Sequence, residues 1–266
     1  MREIEALAEL KRVSGGDPIV EWAAQGLAGG VDPGRWSRGV MRARRQGDAP
    51  GRRSRGVVRA WRQGDAVAVA SPDVSKHDRL AVVGPVEDAA PLVRDVLREV
   101  GPSYRPFGDE ELVRGLAERV PGLRFSASFG WMDASEVPEL TTTAAWLDGD
   151  AGVEALLTEA SPKSYAWPGH LGVRRWAALT GDRGELLSIA ADAWSAPEVG
   201  FLAGVATHPV ARGKGLSRQV CGFVTAELVK RHGRVALMVD GDNPAAIAVY
   251  RRLGYTYRRV AAAGMR

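Results

Sequence analysis

The sequence predicts an α/β fold in which strands and helices alternate, and its C-terminal quarter carries the clearest signals. Residues 199–207 (VGFLAGVAT) have the alternation of a strand, which ends by Pro209 because proline has no N–H for a ladder. Over 216–228, apolar residues recur mostly every three or four positions, the spacing of one helix face. An apolar strand at 235–239 and a helix at 243–254 follow, with capping signals at both ends of the helix.

The turn at 212–217 (RGKGLS) is suited to binding an anion. Two glycines at a helix N-terminus present unpaired backbone N–H groups, and Arg212 and Lys214 add positive charge. We expect the anion to be a pyrophosphate. A P-loop is excluded because Gly215 follows the Gly-Lys pair where Ser or Thr is needed, and Arg218 stands where a dinucleotide fingerprint has its third glycine. A turn that only starts a helix is the structural alternative.

Two motifs in this order resemble the GNAT superfamily of acyl-CoA-dependent N-acyltransferases. The first is R-x-x-G-x-S, which begins at Arg212, and the second is N-x-x-A-x-x-x-Y-x-x-x-G-Y, which runs from Asn243 to Tyr255. Ser217 departs from the commonest pattern, which has glycine or alanine there. The motif resemblance covers about 199–255, and it implies a mixed, mostly antiparallel, splayed sheet flanked by helices.

The resemblance also implies how the co-substrate, acetyl-CoA, would be bound. The end of the first strand would pair with the pantetheine arm, the turn would hold the pyrophosphate, and the second helix would border the pantetheine and the thioester. The positions that match are Val205, Ala206, Thr207, Arg212, Gly213, Lys214, Gly215, Leu216, Ser217, Asn243, Ala246 and Tyr250.

Aminolysis of a thioester needs a group that takes a proton from the amine and a group that protonates the departing thiolate. Tyr250 is the predicted catalytic acid, and its structural alternative is an aromatic that anchors the last helix to the sheet. Backbone N–H groups near Val205 would stabilise the oxyanion. Glu198 is the predicted catalytic base and Asp192 a second candidate, with a solvated surface charge as the alternative for each. His208 is interpreted as an exposed structural residue.

The predicted function is N-acetyltransfer from acetyl-CoA to a primary amine of a small molecule or peptide, by direct transfer. The alternative is a catalytically inactive acyl-CoA-binding or interaction module that kept the fold. The irregular segment 161–172, with Tyr165, Trp167 and His170, is predicted to line the acceptor side. A proline-rich surface loop is the alternative there.

Length and composition agree with an intracellular enzyme. The chain has 266 residues, a net charge of +4 and one cysteine, Cys221, so a disulfide framework within the chain and a cysteine metal cluster are excluded. We expect Cys221 to be a small core residue. No apolar run approaches the roughly 20 residues of a membrane span, and the first twelve residues lack a signal peptide's apolar centre. We therefore expect a cytoplasmic protein without a membrane partner or a metal, and we leave a homodimer open.

An arginine-rich duplication interrupts the N-terminal half. Residues 35–62 hold ten arginines against one acid, and the segment 37–49 recurs almost unchanged at 54–66. The second copy predicts a hairpin around Gly64-Asp65. Specific nucleic-acid binding is not favoured, because Trp61 is the one aromatic between Arg38 and Ala66 and no recognisable helix-turn-helix or RNA-binding motif is present.

Elements in the N-terminal half resemble a degenerate copy of the same fold that lacks the turn motif. We expect this N-terminal domain at 1–137, a linker at 138–143, and the acetyl-CoA-binding catalytic domain at 144–266. Because few residues follow Tyr255, the last strand of the family's fold is expected to be missing or borrowed. The other predicted elements are strands at 80–83, 124–131, 144–147, 175–179 and 186–192, and helices at 88–100, 109–119 and 152–159.

Overall fold

The computed structural model describes residues 1–27 and 57–266, which form two compact units. The first unit is Met1–Phe125 with Ala262–Arg266, and the second is Ser126–Ala261. The predicted linker at 138–143 lies inside the second unit, in a stretch without helix or strand. The predicted assignment of two GNAT-like domains stays a prediction. The first copy of the repeat, 37–49, lies outside the described residues.

The first unit places its strands in the order β1-β2-β3-β4-β5. Neighbours are antiparallel except β4 and β5, which are parallel. In chain order its elements are β1 (Arg2–Ile4), α1 (Leu7–Val13), α2 (Pro18–Ala23), β2 (Arg59–Gln63), β3 (Ala66–Val74), β4 (His77–Val83), α3 (Val86–Val100), β5 (Arg105–Asp109) and α4 (Glu110–Arg119).

The hairpin predicted for the second repeat copy is confirmed. Gln63 pairs with Ala66, so a two-residue loop joins β2 to β3. Gly64 has a φ of +56°, the left-handed conformation that such tight hairpin loops require. The strand β5 was not predicted, because Pro106 and Gly108, two residues that are rare in strands, stand on either side of its central residue.

The second unit contains the segment with the predicted site. Its elements are β6 (Leu123–Ala134, from Ser126), β7 (Ala145–Trp146), α5 (Val153–Ala160), β8 (Val173–Thr180), β9 (Leu186–Ala193), β10 (Gly200–Thr207), α6 (Leu216–His232), β11 (Val235–Val239), α7 (Pro244–Arg251) and β12 (Thr256–Met265, to Ala261). The strand order is β12-β6-β11-β10-β9-β8-β7. The fold class is therefore confirmed as a mixed, mostly antiparallel sheet with flanking helices.

A strand from earlier in the chain completes this sheet. One strand, β12, follows Tyr255, and the place beside β11 is taken by β6. The strands β6 and β11 run antiparallel, with Gly130 opposite Val239 and Ala134 opposite Val235. The last strand was expected to be missing or borrowed, and in the structure β6 supplies the hydrogen-bond partner that β11 needs.

The two helices of the second unit's motifs begin where the sequence indicated, but α6 continues past 228 to His232 and α7 ends at Arg251, before 254. Asn243 caps α7 by accepting a hydrogen bond from the Ala246 N–H at 3.0 Å, with Pro244 at the first helical position. Gly233, at φ +79°, ends α6, whose last turn is basic and so complements the helix dipole. The helix α6 packs against β8, β9, β10 and β11, and α7 packs against α6.

Candidate active site

The strands β10 and β11 diverge after a short parallel contact. Gly200 pairs with Val235 and Phe201 with Ala236, but no pair follows, although β10 continues to Thr207 and β11 to Val239. Strands without a partner on one edge present N–H and C=O groups that can pair with an extended ligand. The divergence therefore leaves an edge of β10 that can receive a linear amide chain.

On its other edge, β10 bulges next to this opening. Its pairing with β9 shifts register between Ala203 and Ala206. Within the bulge Gly204 has a φ of +62°, and a Cβ there would lie 2.6 Å from Trp176 Cη2 and 3.1 Å from the Ala166 Cβ. Both the backbone conformation and the close approach of the indole require glycine at this position.

The glycine-rich turn follows β10 directly. Gly213 and Gly215 have φ values of +77° and +73°, and no atom lies within 4 Å of where their Cβ atoms would be. The helix α6 begins at Leu216, and no side chain caps its N-terminus. The exposed turn therefore offers open space beside the first N–H groups of a 17-residue helix, an arrangement that fits an anionic group.

Arg212 stabilises this turn through hydrogen bonds and also gives it positive charge. Its Nε donates to the Thr207 carbonyl at 3.3 Å, and its Nη2 donates to the Ala160 carbonyl at the end of α5 at 3.2 Å. The Thr207 side chain is held in turn by Ser188, whose hydroxyl lies 2.8 Å from the Thr207 hydroxyl. Two neighbouring elements thus fix the end of β10 against the turn.

Tyr250 lies in the apolar cluster between the diverging strands and the helices. It is 7% exposed and shares the cluster with Leu202 of β10 and Val239 of β11. Burial is the main cause that raises the pKa of Tyr250 well above its usual value of 10. The phenol is protonated at neutral pH, and the raised pKa makes it a weaker acid than an exposed tyrosine.

Several predicted site residues join this same cluster. Val205, Leu216 and Ala246 are partly buried and pack against it. Cys221 is a fully buried core residue, as predicted, and burial raises the pKa of its thiol to about 12. The structure thus brings the bulge, the start of α6, and α7 to the one apolar cluster that contains Tyr250.

Glu198 is not brought to this place. It precedes β10 at the end where β10 and β11 are paired, and its Oε2 is buried. The seven residue steps from Glu198 to Val205 span roughly 20 Å in an extended chain. The role of Glu198 as base stays a prediction, and over that span a proton from an amine at the bulge would need a water chain to reach it.

Asp192, the second candidate base, is engaged in a buried polar network. Its side chain is fully buried, with Arg175 Nε at 3.4 Å and Arg174 Nη1 at 4.0 Å. Ser195 donates to Asp192 Oδ1 at 2.6 Å and accepts from the Phe201 N–H at 2.7 Å. The alternative of a solvated surface charge is therefore wrong for Asp192, which orders the start of β10 through Ser195.

The segment 161–172 lies against the bulge and is tied to the sheet. Ala166 is buried beside Gly204, and the Trp194 indole N–H donates to the Leu171 carbonyl at 2.9 Å. Tyr165 is half exposed, and Trp167 donates its indole N–H to the Ser164 carbonyl within the segment. His170 is exposed. These contacts place the segment beside the bulge, where the prediction for the acceptor side needs it.

His208 has a structural role at the end of β10. Its Nδ1 accepts a hydrogen bond from the Val210 N–H at 3.4 Å and caps the short 3₁₀ turn Pro209–Ala211. Its Nε2 lies 3.5 Å from Glu159 Oε2. The contact with Glu159 and the ion pairs of Asp192 join residues that are far apart in sequence, so no local pattern could have indicated them.

The described residues contain neither a helix that could span a membrane nor a cluster of metal ligands. None of the helices formed by 1–27 and 57–266 has the length and apolarity that a membrane crossing needs. Over the same residues, no group of three or more His, Cys, Asp or Glu side chains could hold a metal ion.

Comparisons with known proteins point to one kind of domain. Residues 181–262 match the family model described as FR47-like protein. A GCN5-related N-acetyltransferase from Kribbella flavida is similar in structure, with a TM-score of 0.53, 21% identity, and coverage of 86% of this chain and 92% of that one. A Drosophila protein gives a TM-score of 0.62 at 13% identity, with coverage of 100% and 98%. No curated protein matches the sequence.

Proposed function

Because residues 181–262 match the FR47-like family model and the chain is similar in structure to a GCN5-related N-acetyltransferase, we propose that the second unit is an acetyl-CoA-dependent N-acetyltransferase that acts on a primary amine. The observation that carries the proposal is the divergence of β10 from β11 directly before a turn with two left-handed glycines. An unpaired strand edge suits the amide-containing pantetheine, and the turn suits the pyrophosphate.

The residues present fit such a co-substrate. Val205, Ala206 and Thr207 would offer their unpaired edge to the pantetheine, and the turn from Arg212 to Ser217 would hold the pyrophosphate at the start of α6. Open space at Gly213 and Gly215 supports this, because phosphate oxygens need close access to backbone N–H groups. Asn243 and Ala246, in the first turn of α7, would border the pantetheine.

When bound, acetyl-CoA supplies an acyl group activated as a thioester. The amine nitrogen forms the new C–N bond as the C–S bond breaks, and backbone N–H groups near Val205 stabilise the charge that develops on the carbonyl oxygen. Tyr250 donates its phenolic proton to the sulfur and regains a proton from solvent before the next turnover. The proton that the amine loses passes to water, and the predicted role of Glu198 as base requires a water chain to reach it.

The experiment is an assay of thiol release from acetyl-CoA with a panel of primary amines. Amine-dependent release, with the acetylated amine detected by mass spectrometry, would support the proposal. Calorimetric binding of acetyl-CoA without release for any amine would instead support the inactive binding module, and absence of both would reject both functions.

A further inference from the structure

We propose that Trp176 restricts the acyl group to acetyl by closing the space beside the bulge of β10. The inference rests on the proposed function and adds to it the class of acyl donor. A short acyl chain would be accepted, and longer chains would meet the indole.

The indole lies against the backbone of the bulge. Trp176, on β8, is 2% exposed, and its six-membered ring approaches Gly204 most closely, with Cη2 at 2.6 Å and Cζ3 at 2.7 Å from an ideal Cβ position. Ala166 of the segment 161–172 closes the same point at 3.1 Å. Three separate parts of the second unit therefore meet beside one glycine.

The two faces of the sheet differ at this level. Ala177 and Leu179 of β8 belong to the cluster under α6, so Trp176, which alternates with them, lies on the opposite face. The cluster around Tyr250 fills the face under α6. An acyl chain attached at the bulge therefore extends toward the opposite face, where Trp176 and Ala166 stand.

Val205 lies between the contact of Trp176 with Gly204 and the proposed place of the thioester. It follows Gly204 directly, and its backbone is where the carbonyl of the thioester would be held. The first carbons beyond that carbonyl are the ones that an adjacent side chain can exclude. Smaller side chains at position 176 would open space for one or two additional methylenes.

The test compares acetyl-, propionyl- and butyryl-CoA with one amine substrate, in the wild-type protein and in Trp176→Phe. Wild-type kcat/KM should fall with each added methylene. Trp176→Phe removes the outer edge of the indole, and each methylene that gains an apolar site is favoured about fourfold. The ratio of butyryl to acetyl kcat/KM should therefore rise by about 15-fold.

Trp131→Phe is the matched control. Trp131 is another buried tryptophan of the second unit, but the ring that it contacts is that of Phe201, and it does not touch Gly204. Its ratio should equal that of the wild type. Thermal unfolding checks each variant, and if Trp176→Phe does not melt cooperatively, Trp176→Leu and the wild-type chain-length profile decide.

Wild-type protein that uses butyryl-CoA as well as acetyl-CoA would overturn the inference. An equal change of the ratio in both tryptophan variants, or no change in either, would also overturn it. In those cases acetyl transfer persists and the proposed function stands. Absence of transfer from every acyl-CoA would remove the proposed function and this inference with it.

Discussion

Tyr250 illustrates how one residue serves packing and chemistry at the same time. Its ring lies in the core, with the Tyr255 ring centroid at 5.7 Å, so the structural interpretation holds. The same burial raises the pKa of its phenol, so proton donation depends on the negative charge that develops on the departing sulfur. Tyr255 differs, because its hydroxyl lies 2.8 Å from the Thr225 hydroxyl and is thus engaged within the core.

Tyr250→Phe should lower kcat by roughly 10²- to 10⁴-fold, the usual scale for general acid catalysis. The ring and its packing remain, so acetyl-CoA affinity should barely change in calorimetry. Tyr255→Phe is the control, since it makes the same substitution in the same cluster and should leave kcat within a few-fold. A Tyr250→Phe protein with wild-type kcat would reduce Tyr250 to a packing residue, and one that lost acetyl-CoA binding would move its role to the ground state.

Asp192→Asn should destabilise the protein strongly. The substitution leaves the partly buried guanidinium groups of Arg174 and Arg175 without the carboxylate, and breaking a buried ion pair in this way costs about 3 to 5 kcal/mol. Urea unfolding measures the loss. Asp182→Asn, on an exposed turn between β8 and β9, should change the free energy of unfolding by less than about 0.5 kcal/mol. Equal stabilities of the two variants would show that the Asp192 network contributes little.

At the scale of elements, local sequence patterns predicted the strands, helices and caps that depend on interactions between near neighbours in the chain. The strand β10, the helices α6 and α7, and the Asn243 cap follow from alternation, helical spacing and capping chemistry over a few residues. The bulge at Gly204 was not predictable in detail, because it depends on Trp176 and Ala166 from other segments. The seven-residue separation of Glu198 from Val205 was already visible in the sequence, whereas the position of the bulge depends on the pairing of β10 with β9.

The turn between β10 and α6 can be tested as an anion site. Gly213→Glu and Gly215→Glu should each weaken acetyl-CoA binding by about tenfold or more, since a carboxylate would repel the pyrophosphate at the helix N-terminus. Gly184→Glu is the matched control, because Gly184 also has a left-handed φ, +81°, and open space around its Cβ position. It carries the same backbone strain away from the turn and should keep wild-type affinity in calorimetry. Unchanged affinity in both folded turn variants would place the pyrophosphate elsewhere.

At the scale of the whole chain, the sequence indicated two parts, and the structure divides the described residues into two units. The division falls after Phe125, whereas composition had suggested 138–143, because the extended stretch there interrupts secondary structure without separating the packing. Long strands such as β6 have no local signal for their partner. The strand β6 pairs with β11, roughly a hundred residues away, and a single sequence does not reveal such a contact.

The position of β6 has a consequence for solubility. The strand covers one side of β11, whose sequence VALMV would otherwise be an apolar edge and a template for intermolecular pairing. A shortened protein that starts at Ala144 should therefore self-associate, whereas one that starts at Ser126 and keeps Gly130–Ala134 should stay monodisperse in light scattering at the same concentration. A monodisperse, cooperatively melting 144–266 fragment would contradict this. The second unit is then inseparable from a strand encoded upstream of its own motifs, and recombination that separated the two would yield a self-associating fragment.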